Sequence, residues 1–213
     1  CSGGSGAGLH IYYNPDAELT GVTIARNQVG NVGGLSSPGG SGGGIYCSAS
    51  DLYISYSDVL DNLAGHASNG LTYGSTGGHG GGLYADTCVM SIWRTLFRGN
   101  HAGNGSYGPT ASGSGGSGGG VYVKGSASLG FDEVGVMDNY AGNGPTAGGG
   151  AGGYGGGLYL ATPAVVNLAF ITGNHAGNTF IKGSGGDGGG IYAGASLGLF
   201  NVTISGNFAG SGQ

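Results

Sequence analysis

Five copies of one short motif constrain this chain more than any other feature. Three glycines, a branched aliphatic residue and a tyrosine recur together, reading GGGIY, GGGLY or GGGVY at 42–46, 80–84, 118–122, 155–159 and 188–192. A degenerate copy, GAGLH, begins at Gly6. Successive copies begin 36, 38, 38, 37 and 33 residues apart. A nearly constant period of this length is typical of solenoids, in which one structural unit is repeated and stacked.

A second motif, N-x-A-G or N-x-V-G, follows each glycine triplet. Its asparagines are Asn27, Asn62, Asn100, Asn139, Asn174 and Asn207. Apolar residues stand three, eight and ten positions before each asparagine, as Phe97, Ile92 and Met90 do before Asn100. The spacing of two predicts a strand, and the odd step to the next apolar residue predicts a corner. Since Asn and Gly tolerate left-handed backbone, the motif itself predicts another corner.

Each copy therefore predicts three short strands, the first of them on the glycine motif. One copy cannot bury a core alone, whereas stacked copies pair each strand in parallel with its equivalent one copy along. The expected fold is all-β: a single-stranded parallel β-helix of about six rungs. The rungs start near 6, 42, 80, 118, 155 and 188 and fill residues 1–213 as one domain. Glycine-rich loops would project from one corner.

Stacking places like residues in columns. The aliphatic residue of each triplet motif is predicted to face inward, and the asparagines to form a hydrogen-bonded ladder at a corner. The tyrosine column consists of Tyr46, Tyr84, Tyr122, Tyr159 and Tyr192. By alternation this column faces outward or into the glycine loops. It is interpreted as a packing ladder, with an aromatic stripe for carbohydrate as the alternative.

The two motifs resemble the repeats of the chlamydial polymorphic outer-membrane proteins. That family repeats a GG-small-[ILV] motif and an aromatic-or-aliphatic-x-x-N motif, which read here as GGGIY and as VLDN at 59–62, FRGN at 97–100 and ITGN at 171–174. Similar repeats occur in autotransporter-like passenger domains of bacterial surface proteins. The resemblance implies a right-handed coil and an extracellular or cell-surface location. The long glycine loops depart from the family pattern.

The glycine loops allow two interpretations. Loops such as GSYGPTASGSGGS, at 105–117, leave from one corner in every copy. Long glycine-rich segments are mobile when free. Stacked in register, they could instead pack backbone against backbone, because no side chains intervene. An ordered layer is the favoured prediction, and a solvated fringe is the alternative.

Composition argues against several classes of function. Only five Lys and Arg occur among 213 residues, with a formal net charge of -5, which disfavours nucleic-acid binding. No apolar run is long enough to predict a membrane-spanning helix. Three widely spaced cysteines indicate neither a metal site nor a disulfide framework. No cofactor is expected. The CSGG start resembles a mature bacterial lipoprotein, which predicts a lipid anchor at Cys1; an arbitrary start of the chain is the alternative.

The sequence gives only weak indications of catalytic or modification sites. The best acidic clusters are Asp58 with Asp61, and Asp132 with Glu133 and Asp138. Neither lies beside a column of basic residues, so no enzyme is predicted, although polysaccharide lyases and hydrolases use β-helices with clustered carboxylates. The sequons at Asn104 and Asn201 predict glycosylation in a host that performs it.

The sequence thus favours an extracellular structural protein. Its predicted role is a building unit of a filament, sheath or coat that assembles as a head-to-tail homopolymer through end-to-end stacking and glycine-loop contacts. An adhesin or a carbohydrate-binding surface module is the alternative, with a carbohydrate or another cell-surface ligand as the partner.

Overall fold

Three parallel β-sheets make up the fold. The structure is a computed structural model that describes residues 3–31, 36–125 and 128–212. The first sheet holds the strands that follow the glycine triplets: β1 (Leu9–Tyr12), β4 (Ile45–Ser48), β7 (Leu83–Asp86), β10 (Val121–Lys124), β13 (Leu158–Leu160) and β16 (Ile191–Ala193). The second holds β2 (Ala17–Thr20), β5 (Asp51–Ser55), β8 (Val89–Trp93), β11 (Leu129–Asp132), β14 (Ala164–Asn167) and β17 (Leu197–Phe200). The third holds β3 (Thr23–Ala25), β6 (Asp58–Leu60), β9 (Leu96–Arg98), β12 (Gly135–Met137), β15 (Phe170–Thr172) and β18 (Thr203–Ser205).

Each strand pairs only with its equivalents one repeat before and one repeat after. Every pairing is parallel, and the register joins like positions, such as Tyr46 with Tyr84 and Ile54 with Ile92. One passage through the three sheets is called a rung, and the rungs are numbered 1 to 6 along the chain. The predicted all-β parallel β-helix is confirmed. Within the described residues no helix occurs that could cross a membrane.

The core is a set of aliphatic and aromatic columns along the axis. In rungs 2 to 5, the positions three, eight and ten residues before the asparagines are buried, as Phe97, Ile92 and Met90 illustrate. The aliphatic residue of each triplet motif is fully buried in the same rungs. These columns form one continuous hydrophobic cluster. Stacked rungs therefore share a single core that no rung could build alone.

The first strand is shorter than predicted. It begins at the aliphatic residue, not at the glycine triplet, because the first glycine turns the chain: Gly42 and Gly80 have φ of 69° and 63°. This left-handed conformation favours glycine and interrupts an extended strand. The other two corners also use left-handed residues that are not glycine, such as Ala49 between the first and second sheets and Tyr56 between the second and third.

The prediction of no disulfide was wrong. Cys47, on β4, and Cys88, just before β8, form a disulfide inside the core, 41 residues apart in sequence. Both side chains are fully buried. An odd cysteine count and wide spacing concealed the pair, because only the stacking of rungs 2 and 3 brings the two positions together. Cys1, the expected anchor, lies outside the described residues.

Candidate functional site

A buried asparagine ladder runs along one corner of the column. The Nδ2 of Asn62 donates to Oδ1 of Asn100 (3.0 Å), and the same bond joins every neighbouring pair from Asn27 to Asn207. A second Nδ2 bond reaches a carbonyl of the rung below, as from Asn100 to Val59 (2.9 Å). The backbone N–H of each asparagine from Asn27 to Asn174 also donates to the next Oδ1. The amides of the four inner asparagines are thus satisfied without water, which removes the cost of burying them.

An aromatic stack follows the first sheet. Its six rings are His10, Tyr46, Tyr84, Tyr122, Tyr159 and Tyr192. Centroids of neighbouring tyrosine rings lie 4.6–5.2 Å apart, and their planes differ by at most 10°. Each inner ring therefore has both faces covered by its neighbours. A sugar stacks on an open ring face, so this geometry supports a packing ladder over a carbohydrate stripe.

Burial and neighbouring charges alter the titration of this stack. Burial, helped by the neighbouring tyrosines, raises the pKa of Tyr122 to about 12. Burial also raises the pKa of Tyr84. The Tyr84 hydroxyl and the Asp86 carboxylate, whose Oδ2 lies 3.1 Å from Nζ of Lys124, raise the pKa of that lysine. Tyr84 and Tyr122 are therefore uncharged at neutral pH, which favours close contact of their rings.

The glycine loops form an ordered seam. Each loop has an outgoing limb, after N-x-A-G, and a returning limb, before the next triplet. Backbone N–H groups donate alternately from limb to limb, as from Gly116 to Gly103 and from Gly142 to Gly116 (both 2.8 Å). The glycines of this zigzag, called the seam glycines, are Gly40, Gly65, Gly78, Gly103, Gly116, Gly142, Gly153, Gly177, Gly186 and Gly210.

Side chains cannot enter the seam. A Cβ at Gly142 would overlap the carbonyl of Gly103, and the same overlap recurs at Gly103 with the carbonyl of Gly65. The loops therefore pack backbone against backbone, as the ordered-layer prediction described, within the chain itself. Glycine is required here for close approach and not for a special φ.

A second, exposed ladder lies four residues after the buried one. Backbone N–H groups donate to the side chain one rung below: Asn143 N to Asn104 Oδ1 (2.9 Å) and Asn178 N to Asn143 Oδ1 (2.8 Å). His66 takes the asparagine's place, accepting from the Asn104 N–H at Nδ1 (2.9 Å). The members of this outer ladder are Asn31, His66, Asn104, Asn143, Asn178 and Ser211.

A groove runs beside the outer ladder. Its volume is about 620 Å³, and it spans rungs 2 to 5. The floor is a second aromatic stack of His101, Tyr140 and His175, whose centroids lie 4.6 and 4.8 Å apart. One wall is the outer ladder, and Asp61 lies at one end. Of all the surface features, this groove is the candidate functional site, because it combines concave shape with unpaired polar groups.

Two histidines of the groove, His66 and His101, favour the uncharged state. Burial lowers the pKa of His101, although the nearby Asp61 acts in the opposite direction. Burial also lowers the pKa of His66. Because Nδ1 of His66 accepts a hydrogen bond, the neutral ring carries its proton on Nε2. His66 and His101 thus offer neutral donors and acceptors at neutral pH.

Two carboxylates of the predicted acidic clusters pair with other side chains. Glu133 forms an ion pair with Arg94 (Oε2 to Nε, 2.6 Å), whose guanidinium also lies over the Trp93 ring. Asp132 accepts from Nδ2 of Asn167. Among the described residues no group of three or more His, Cys, Asp or Glu is placed to hold a metal ion. Glu133 and Asp132 are thus engaged in two separate contacts.

The two sequon asparagines have different surroundings. Asn201 is exposed at a corner and has a φ of 52°. Asn104 is also exposed, but it is a member of the outer ladder and lines the groove. Glycosylation of Asn104 would therefore fill the groove with a glycan. Both sequons stay predictions.

The outer ladder was missed at the sequence level, although a signal exists. The motif reads N-x-A-G-N in three repeats, with the second asparagine at Asn104, Asn143 and Asn178. Substitution by His66 and Ser211 in other repeats hides the column. Comparison of the chain with protein-family models, curated proteins and solved structures found no match. What the site can bind must therefore be inferred from the geometry of its own residues.

Proposed function

We propose that this chain is an extracellular structural protein, a β-solenoid rod that builds a surface filament, sheath or coat. The observation that carries the proposal is the number of continuous ladders along one axis. The buried asparagines, the tyrosine stack, the seam glycines and the outer ladder each join every rung they pass. A chain whose repeats make this many contacts along the column axis is suited to bear load along that axis.

The disulfide supports the extracellular location. Cys47 and Cys88 are both buried and bonded. Disulfides persist in oxidising compartments such as the cell exterior and the periplasm, and they are rare in reducing cytosol. The resemblance of the repeats to those of bacterial surface proteins agrees with this location.

The end rungs support head-to-tail assembly with a second copy. Asn207 donates one Nδ2 hydrogen to Ile171, while its backbone N–H and its other Nδ2 hydrogen have no acceptor among the described residues. At the opposite end, Oδ1 of Asn27 receives no hydrogen bond from them. Donors at one end and an acceptor at the other would continue the ladder between two copies.

The apolar columns of rung 6 support the same assembly. Ile204 is 48% exposed, whereas Ile171, directly below it, is fully buried. Leu199 is 42% exposed above the buried Val166. Unpaired strand edges of this kind template pairing with another chain. Stacking rung 1 of another copy on rung 6 would bury both side chains, and non-closing contacts of this type generate filaments.

Electron microscopy and analytical ultracentrifugation test this assembly. We expect polymers whose length increases with protein concentration. The double variant Leu199→Asp/Ile204→Asp should remain monomeric, because it places carboxylates in the buried interface. Thr203→Asp is the matched control, since Thr203 lies on the same strand as Ile204 and its equivalent in rung 5, Phe170, is 60% exposed on the outer face. Assembly would be refuted by a native chain that stays monomeric at every concentration.

A further inference from the structure

The groove beside the outer ladder contains regularly spaced polar groups without partners. Nδ2 of Asn104, Asn143 and Asn178 makes no hydrogen bond within the described residues, since only Oδ1 of each takes part in the ladder. On the floor, the hydroxyl of Tyr140 is likewise unpaired within the described part of the chain, and Tyr140 is 37% exposed. The small side chains of Ala102, Ala141 and Ala176 leave room between wall and floor.

The ring edges, not the ring faces, line this floor. His101, Tyr140 and His175 cover one another's faces, with planes within 12° of parallel. What reaches a ligand is therefore the ring nitrogens and the phenol oxygen. Each of rungs 3 to 5 offers one amide donor on the wall and one polar ring atom on the floor, whereas rung 2 places His66 and Leu63 at these positions. A hydroxyl group satisfies both kinds, because it donates one hydrogen bond and accepts others.

The spacing of these groups selects the shape of the ligand. Ring centroids on the floor lie 4.6 and 4.8 Å apart, matching the spacing of paired strands. An extended peptide turns side chains to the same face only about every 6.6–6.8 Å, so it falls out of step within two rungs. A β-1,4-linked pyranose chain is extended and advances one ring in nearly the distance of one rung. Because alternate rings are turned over, successive rungs meet hydroxyls from opposite edges of the chain.

Charge excludes an acidic polymer. The Asp61 carboxylate stands at the groove, the lining includes no Lys or Arg, and the chain has a formal net charge of -5. Burial holds His66 and His101 towards their neutral forms. A polyanion would meet a carboxylate and no compensating cation, so an uncharged ligand fits best.

We propose that the groove of rungs 2 to 5 binds an unbranched, neutral, β-1,4-linked polysaccharide lying along the column axis, with one sugar ring per rung. Wall amides of Asn104, Asn143 and Asn178 donate to ring hydroxyls, and the floor atoms of His101, Tyr140 and His175 complete their hydrogen bonding. This site is separate from the end rungs, so it does not depend on assembly. It would attach the rod to a glucan-type matrix.

Isothermal titration with cellopentaose tests the site. We expect measurable binding that strengthens from cellobiose to cellotetraose and then levels off, because the lining residues come from four rungs. Tyr140→Phe retains the stack and removes one hydroxyl, and Asn143→Ala removes one wall donor. Each should raise the Kd about three- to tenfold, the range expected for loss of one hydrogen bond.

Matched controls separate binding from folding. Tyr159→Phe makes the same change in the other stack. Asn69→Ala removes an exposed asparagine whose Oδ1 also accepts a backbone N–H, from Tyr107, but which does not line the groove. Both controls should bind cellopentaose like the native chain. The proposal is overturned if cellopentaose does not bind, if the groove variants bind as well as the controls, or if maltopentaose or oligogalacturonate binds more tightly.

Discussion

At the scale of single residues, His79 illustrates how the stacking converts a titratable group into a structural one. Its Nδ1 accepts the Ser117 N–H (2.9 Å), and its ring stacks on Tyr122 at 4.5 Å. Ser41 and Ser117 hold the equivalent position in neighbouring rungs and also accept a backbone N–H from the next rung. Burial, with a smaller contribution from Lys124, lowers the pKa of His79 from 6.5 to about 4.

This shift predicts a loss of stability in mild acid. Between pH 6.5 and 4 the unfolded chain binds a proton at His79 that the folded chain excludes, so unfolding is favoured as the pH falls. The contribution is absent above pH 6.5 and amounts to about 3 kcal/mol below pH 4. Denaturant unfolding across this range should show the decline in the native chain.

His79→Ser provides the comparison for that prediction. Serine occupies the equivalent position in rungs 2 and 4 and retains a hydroxyl to accept the Ser117 N–H. His66 and His101, whose pKa values burial also lowers, contribute alike to both proteins. The difference between native chain and variant therefore isolates His79. A difference that does not change from pH 7 to pH 4 would contradict the assigned titration.

At the scale of elements, the seam glycines are the least replaceable part of the loops. We expect Gly142→Ala to lower the free energy of unfolding by about 3 kcal/mol or more, because its Cβ would overlap the Gly103 carbonyl and interrupt the zigzag of hydrogen bonds. Gly130→Ala is the control, since a Cβ on that outward-facing strand position meets nothing within 4 Å. Thermal unfolding measures both.

The control should be neutral or slightly stabilising. Alanine restricts the unfolded chain more than glycine does, which raises stability by up to about 1 kcal/mol where space allows. Equal losses in Gly142→Ala and Gly130→Ala would mean that the loops tolerate a side chain. The backbones in the seam would then lie no closer together than those in an ordinary loop contact.

The strands were predictable from the sequence. For the loops, only the type of contact, backbone against backbone, was predictable. Alternation of apolar residues identified the columns of Met90, Ile92 and Phe97, because side chains that face a core leave a periodic pattern. Glycine leaves no such pattern, so the zigzag through Gly103 and Gly142 could not be assigned residue by residue. The groove was missed because its wall substitutes His66 for asparagine, which hides the column.

At the scale of the whole molecule, stability is distributed along one dimension. Each rung contacts its neighbours, so its stability depends on local interfaces more than on the whole chain. The disulfide between Cys47 and Cys88 joins rungs 2 and 3. Because the two cysteines are 41 positions apart, it restricts a long loop of the unfolded chain. In the chain-entropy model such a loop contributes about 4 kcal/mol.

Reduction should therefore destabilise one region before the rest. The single tryptophan, Trp93, lies on β8 in rung 3, five residues from Cys88, so its fluorescence reports the bonded region. Far-UV circular dichroism reports all rungs. In the oxidised protein the two denaturant transitions should coincide. After reduction, or in Cys47→Ala/Cys88→Ala, the Trp93 transition should move to lower denaturant ahead of the dichroism. If both transitions shift together, the ladders couple the rungs more tightly than nearest-neighbour contacts require, and the column unfolds as one unit.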